Sequence, residues 1–107
     1  MSEPANTRSF PFSEQARVTV PGHVVYRTFV TETVALNIES GQYHGLNATA
    51  GRMLEVLERS RSLDAAVEPL AREFEQPAER IRSDLLALCA SLHSRGLIEI
   101  REPDAAA

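Results

Sequence analysis

Three histidines, one cysteine and fifteen acidic side chains are the residues of this 107-residue chain with the greatest capacity for chemistry. A metal ion needs several imidazole or thiolate donors within its reach. His23, His44 and His93 fall by pattern on a loop, a strand and a helix, with no HxxxH or CxxC spacing among them, so no metal site is expected. His93, near the end of its helix, can offset the helix dipole there. His44 on the outward face of its strand reads equally as a surface residue or as a contact with a bound segment. Nucleophilic catalysis requires a Ser or Cys backed by a base. Cys89 lies in the apolar run Leu85-Leu86-Ala87-Leu88-Cys89, and no Ser stands in a G-x-S-x-G setting. A buried structural thiol is expected, and a lone cysteine permits no internal disulfide. Glu55 and Glu58, and Glu73 and Glu75, sit on outer helix faces where solvation accounts for them. Gly22, Gly41, Gly45, Gly51 and Gly96 are too scattered to cradle a phosphate. The expectation is a protein that binds, with no catalytic residues, metal or cofactor.

Composition narrows what it binds. Hydrophobic residues are 43% and charged residues 24% of the chain, ordinary for a folded domain, and the length suits one core. All eleven basic residues are Arg, and fifteen acids leave a net charge of −4. That sign works against gripping a nucleic acid by charge. From Asn47 onward eight Arg face eleven acids. No apolar run is long enough to span a membrane, and Met1 to Ala16 lacks the basic start and apolar stretch of a signal peptide, so a cytoplasmic location without membrane contact is expected.

The elements that would position a binding site follow from periodicity. Residues 1–16 read as a flexible arm, although Phe10 and Phe12 are placed to fold back on a core edge. The domain proper is expected over 17–101, and 102–107 as a disordered tail. Between Arg17 and Asn47 the pattern is that of strands, dense in Val24-Val25-Tyr26-Arg27-Thr28-Phe29-Val30 and alternating at Val34, Leu36 and Ile38. Thr31 to Thr33 make one reversal and Ser40-Gly41 the next. A two-residue turn there would set Ile38 opposite Tyr43 and Asn37 opposite His44. Asn47 then caps a first helix with Ala50, Met53, Leu54 and Leu57 on one face, ending near Arg59. Ser62 caps a second, in which Pro69 predicts a kink or a late start. Pro77 opens a third, with Ile81, Leu85, Leu88, Cys89 and Leu92 on one face, closed by Gly96. Leu97 to Ile100 read as a last short strand. The expected fold is α+β: a winged helix-turn-helix with an N-terminal three-stranded antiparallel meander followed by three helices.

The run Glu39-Ser40-Gly41-Gln42-Tyr43, then Gly45-Leu46-Asn47, resembles the PqqD family, whose members carry an acidic-Ser/Thr-Gly turn, an aromatic strand and a Leu-Asn entry to the first helix. The likeness continues through Gly51 and Met53, Arg72-Glu73-Phe74, Asp84-Leu85 and Arg95-Gly96-Leu97-Ile98, over about Val18 to Arg101. It implies a recognition element for ribosomally synthesised, enzymatically tailored peptides, a non-catalytic adaptor that holds a precursor's leader peptide for a modifying enzyme or leader peptidase. The leader is expected to add as a strand at Gln42, Tyr43, His44, Gly45 and Leu46, beside Arg82, Leu85, Leu86 and Cys89 of the last helix. Proline at His44 is then the expected way to spoil the edge. A lasso-peptide pathway is the first expectation and a radical-SAM partner the second. A winged-helix DNA-binding regulator is the rival from another class, disfavoured by charge.

Overall fold

β-branched and aromatic residues are dense from Val18 to Val34, and there the computed structural model, which describes residues 13–103, begins its strands. These are β1 (Arg17–Thr19), β2 (Val24–Thr28), β3 (Glu32–Asn37) and β4 (Gln42–Asn47). Then come helices α1 (Ala48–Arg59), α2 (Leu63–Phe74) and α3 (Ala78–Ser94), and a closing strand β5 (Glu99–Arg101). The three-stranded antiparallel meander is β2-β3-β4, followed by the three expected helices. β1 stands outside it and pairs with β5, Val18 opposite Ile100. Phe10 and Phe12 lie outside the described residues.

The first two helices begin where a side chain can take up a free backbone N–H. Asn47 accepts from Ala50 and Ser62 from Ala65, as their residue types predict. α2 runs unbroken through Pro69, with no late start. Ala65 and Pro69 are both exposed, so the carbonyl that loses its donor faces solvent, where water can serve it. Pro77 stands at the N-cap of α3, just outside the helix. Gly96 adopts φ 74° after α3, in the left-handed region glycine favours.

The core lies between the inner face of the meander and the helices. Val24, Ala35 and Leu46 supply it from the sheet, Met53, Leu54 and Leu57 from α1, Leu63 and Leu70 from α2, and Ile81, Leu85 and Leu92 from α3. Burying each large side chain contributes about 1.5–3 kcal/mol. Small residues let α1 come close to the sheet. A Cβ on Gly51 would overlap Thr33 Oγ1 and stand 2.7 Å from Thr33 Cβ.

The chain ends are tied to this body. Ser13 donates from its N–H and hydroxyl to the Glu102 carboxylate, at 2.9 and 2.7 Å. Ala16 is fully buried and its carbonyl accepts from Leu63 N–H at 2.9 Å. Residues 13–16, expected within a flexible arm, are therefore docked.

Candidate functional site: an open strand edge

The turn between β3 and β4 sets the edge. Asn37 Oδ1 accepts from Glu39 and Ser40 N–H at 2.9 and 3.1 Å, a local turn that Asn favours. Gly41, at φ 76°, completes a four-residue loop that draws Ile38 out of the strand. The two-residue turn is thus corrected: Asn37 faces Gln42, Leu36 faces Tyr43 and Ala35 faces His44. The shift is by two residues, so each side chain keeps its grouping by face.

Which face is inward also differs from the expectation. Thr33, Ala35, His44 and Leu46 face the helices, and His44 is half-buried, not outward. Val25, Phe29, Val34, Leu36 and Tyr43 share the outer face, with Val25 49%, Phe29 54% and Tyr43 71% exposed. Together with Arg27 they line a shallow concavity of about 410 Å³. The alternating apolar residues of β3 thus mark an open surface, while the small residues beside them meet α1.

The order β2-β3-β4 leaves β4 paired on one side only among the described residues. Antiparallel ladders alternate bonded and non-bonded pairs. Phe29 N–H donates to the Glu32 carbonyl and Ile38 N–H to that of His23, both at 2.7 Å. This parity turns the main-chain groups of Glu32, Val34 and Leu36 toward β2, and those of Thr33, Ala35 and Asn37 toward Leu46, His44 and Gln42 of β4. The N–H and C=O of Tyr43 and Gly45 therefore point out along the free edge. His44, singled out for proline from sequence, bonds inward to β3.

The expected helix positions separate. Leu85 and Cys89 are fully buried in the core, because they lie at the centre of α3's apolar face, and burial pushes the Cys89 thiol up to about 12. They are core residues, not an accessible groove lining. Arg82 joins α3 to α2 and the N-terminal segment. Its Nη2 donates to Asp64 Oδ1 at 3.1 Å, while its Nε lies 3.0 Å from Glu14 Oε1 without the alignment of a hydrogen bond. The hydrogen bond to Asp64, then the Glu14 and Asp64 charges, raise its pKa against the opposing effect of burial. Leu86 alone of the four is apolar and part-exposed. β4 packs on β3 and α1, and α3 chiefly on α2.

A polar cluster on α1 serves the scaffold. Tyr26 hydroxyl donates to Glu58 Oε1 at 2.5 Å, and Thr28 hydroxyl to Glu55 at 3.1 Å. Burial first, then Glu58, drive the Tyr26 phenol well above its usual range. Arg52 forks onto Glu73 at 2.8 and 2.9 Å, clamping α1 to α2 and holding the Glu73 carboxyl below its usual range. Among the described residues no group of three His, Cys, Asp or Glu could hold a metal, and no helix is long and apolar enough to cross a membrane.

Fold and edge together define a winged α+β domain whose β4 strand, among the described residues, is uncovered beside an apolar sheet face. The chain belongs to the PqqD family: the model described as coenzyme PQQ synthesis protein D matches residues 32–98. Its fold is also that of two solved structures. One, "TbiB1 in Complex with the TbiA(beta) Leader Peptide", is 25% identical with a TM-score of 0.68, covering 76% of this chain and 94% of that one. The other, "Lasso peptide synthetase B1 complexed with the leader peptide", is 24% identical with a TM-score of 0.69, covering 78% and 98%. No curated protein matches in sequence.

Proposed function

We propose that this chain is a non-catalytic adaptor that binds the leader segment of a ribosomally made precursor peptide and presents it to a modifying enzyme or leader peptidase, in a lasso-peptide type of pathway. The observation that carries the reading is the β4 edge, where Tyr43 and Gly45 offer outward main-chain groups to an added strand. Strand addition gives affinity through the main chain and leaves specificity to flanking side chains. The likeness to TbiB1, which is in complex with a leader peptide, supports a leader as the ligand. Gln42, Tyr43, His44, Gly45 and Leu46 form the edge, with Leu86 the helix residue best suited to line a groove. Leu85 and Cys89 act behind it as core, and Arg82 as a brace. The peptide-binding unit spans 17–101, with 13–16 clasped to it. The exposed apolar outer face supports contact with an enzyme partner, since monomeric proteins seldom leave such patches open without use.

Titration of a fluorescein-labelled lasso leader, followed by anisotropy, tests the reading. Saturable binding at micromolar strength or tighter is expected, and the precursor should keep its mass when incubated with this protein alone. Absence of binding to lasso leaders and to a PQQ precursor alike would contradict it. Binding of the PQQ precursor alone would favour the second reading, partnership with a radical-SAM enzyme; the family description, coenzyme PQQ synthesis protein D, supports only the PQQ side of it.

A further inference from the structure

The leader edge carries a charge that the fold itself does not use. Glu32 lies on the outer face of β3, exposed, and takes part in none of the ion pairs among the described residues. Its side chain leans toward the free edge. A Cβ built on Gly45 would meet only one atom within 4 Å, Glu32 Oε1 at 4.0 Å. Gly45 thus leaves a bare gap on the outer face of β4, roofed by a carboxylate. Tyr43, two residues along the same strand and on the same face, is 71% exposed and borders that gap. Arg27, a cation on this face, is on β2, opposite Val34 and on the far side of β3 from the gap.

An added strand bonds to the outward groups of Tyr43 and Gly45, so the residue opposite Gly45 projects its side chain onto this same face. Opposed Cβ atoms lie about 4.5–5.5 Å apart. A long cationic side chain starting there spans bare Gly45 to the Glu32 carboxylate, with its stem against the Tyr43 ring. A short or acidic side chain does not reach or is repelled. We propose that Glu32 is a specificity-determining residue that selects an Arg or Lys in the bound strand at the position opposite Gly45. This rests on the reading that the leader adds to β4. The chain's net charge of −4 favours the same sign of partner.

The test uses the full chain and a displayed library of random twelve-residue peptides, selected against the parent, Glu32→Gln and Glu32→Arg. Because Glu32 is exposed, both variants should fold, as circular dichroism checks. The parent should enrich Arg or Lys at one position of a common strand register, Glu32→Gln should lose that preference, and Glu32→Arg should turn it toward Asp or Glu. For the best parent peptide and its Arg→Glu form, crossing with Glu32→Arg should recover about threefold or more in affinity. Enrichment of strand-forming peptides with the same charge preference in all three proteins would overturn the role of Glu32 and leave strand addition standing. Failure to enrich any peptide would overturn both.

Discussion

Gly51 and Thr33 show how closely single residues constrain this domain. A Cβ at position 51 collides with Thr33 Oγ1 and Cβ where α1 crosses the sheet, and Thr33 is itself fully buried. Gly51→Ala should therefore destabilise the fold by about 1–3 kcal/mol in urea denaturation. Adding Thr33→Ala should recover only part of the loss, because its Cβ remains 2.7 Å from the new methyl group. An unchanged midpoint for Gly51→Ala would contradict the close approach. Cys89 gives a second residue-scale prediction. Its thiol, pushed up to about 12 by burial, stays protonated when folded, whereas an unfolded thiol titrates at about 8.5. The stability this confers is complete below about pH 8.5 and is lost as pH rises toward the folded value. At pH 8 a thiol reagent should leave the native protein unlabelled and react fully in denaturant. Prompt labelling of the native state would mean that Cys89 is accessible. The apolar run around Cys89 made its burial legible in the sequence. The Gly51–Thr33 contact was not, because a long-range pair of small residues leaves no local pattern.

Among the elements, helices were the most readable, since caps and a 3.6-residue period are local signals. Asn47 and Ser62 cap where expected. The meander was readable as strands, but its register was not, because Ser40-Gly41 suggests a tight turn while Asn37 builds a longer one. Its facing misled for a physical reason: apolar alternation marks a face that wants covering, and among the described residues that face is left open while Thr33 and Ala35 admit α1. The corrected register moves the decisive probe. Gly45→Pro removes an outward N–H from an edge strand, a position proline tolerates, so the protein should remain folded while leader affinity falls by at least tenfold. His44→Pro removes a bond to β3 and should instead lower stability by about 1–3 kcal/mol. The pair is measured by leader anisotropy alongside thermal melting. Loss of affinity in a folded His44→Pro protein, with none in Gly45→Pro, would reverse the parity assigned to β4.

At the scale of the whole molecule, charge and topology decide between peptide and nucleic acid. A winged helix-turn-helix can present a helix to a DNA groove, yet α3 carries Glu79 and Asp84 beside Arg80 and Arg82, and Arg82 is held by Glu14 and Asp64. Duplex DNA should bind only weakly and without sequence preference at physiological salt in a gel-shift assay, and a specific site bound at nanomolar strength would overturn this. The sheet edge remains as the feature on which the account depends. Amide hydrogen exchange by NMR, with and without leader peptide, tests it most directly. Before binding, His44 should already be slow to exchange through its bond to β3, while Tyr43 and Gly45 exchange rapidly. On binding, Tyr43 and Gly45 should gain the largest protection in β4. Unchanged exchange at both residues in a leader-saturated sample would show that the leader docks elsewhere and would contradict strand addition at this edge.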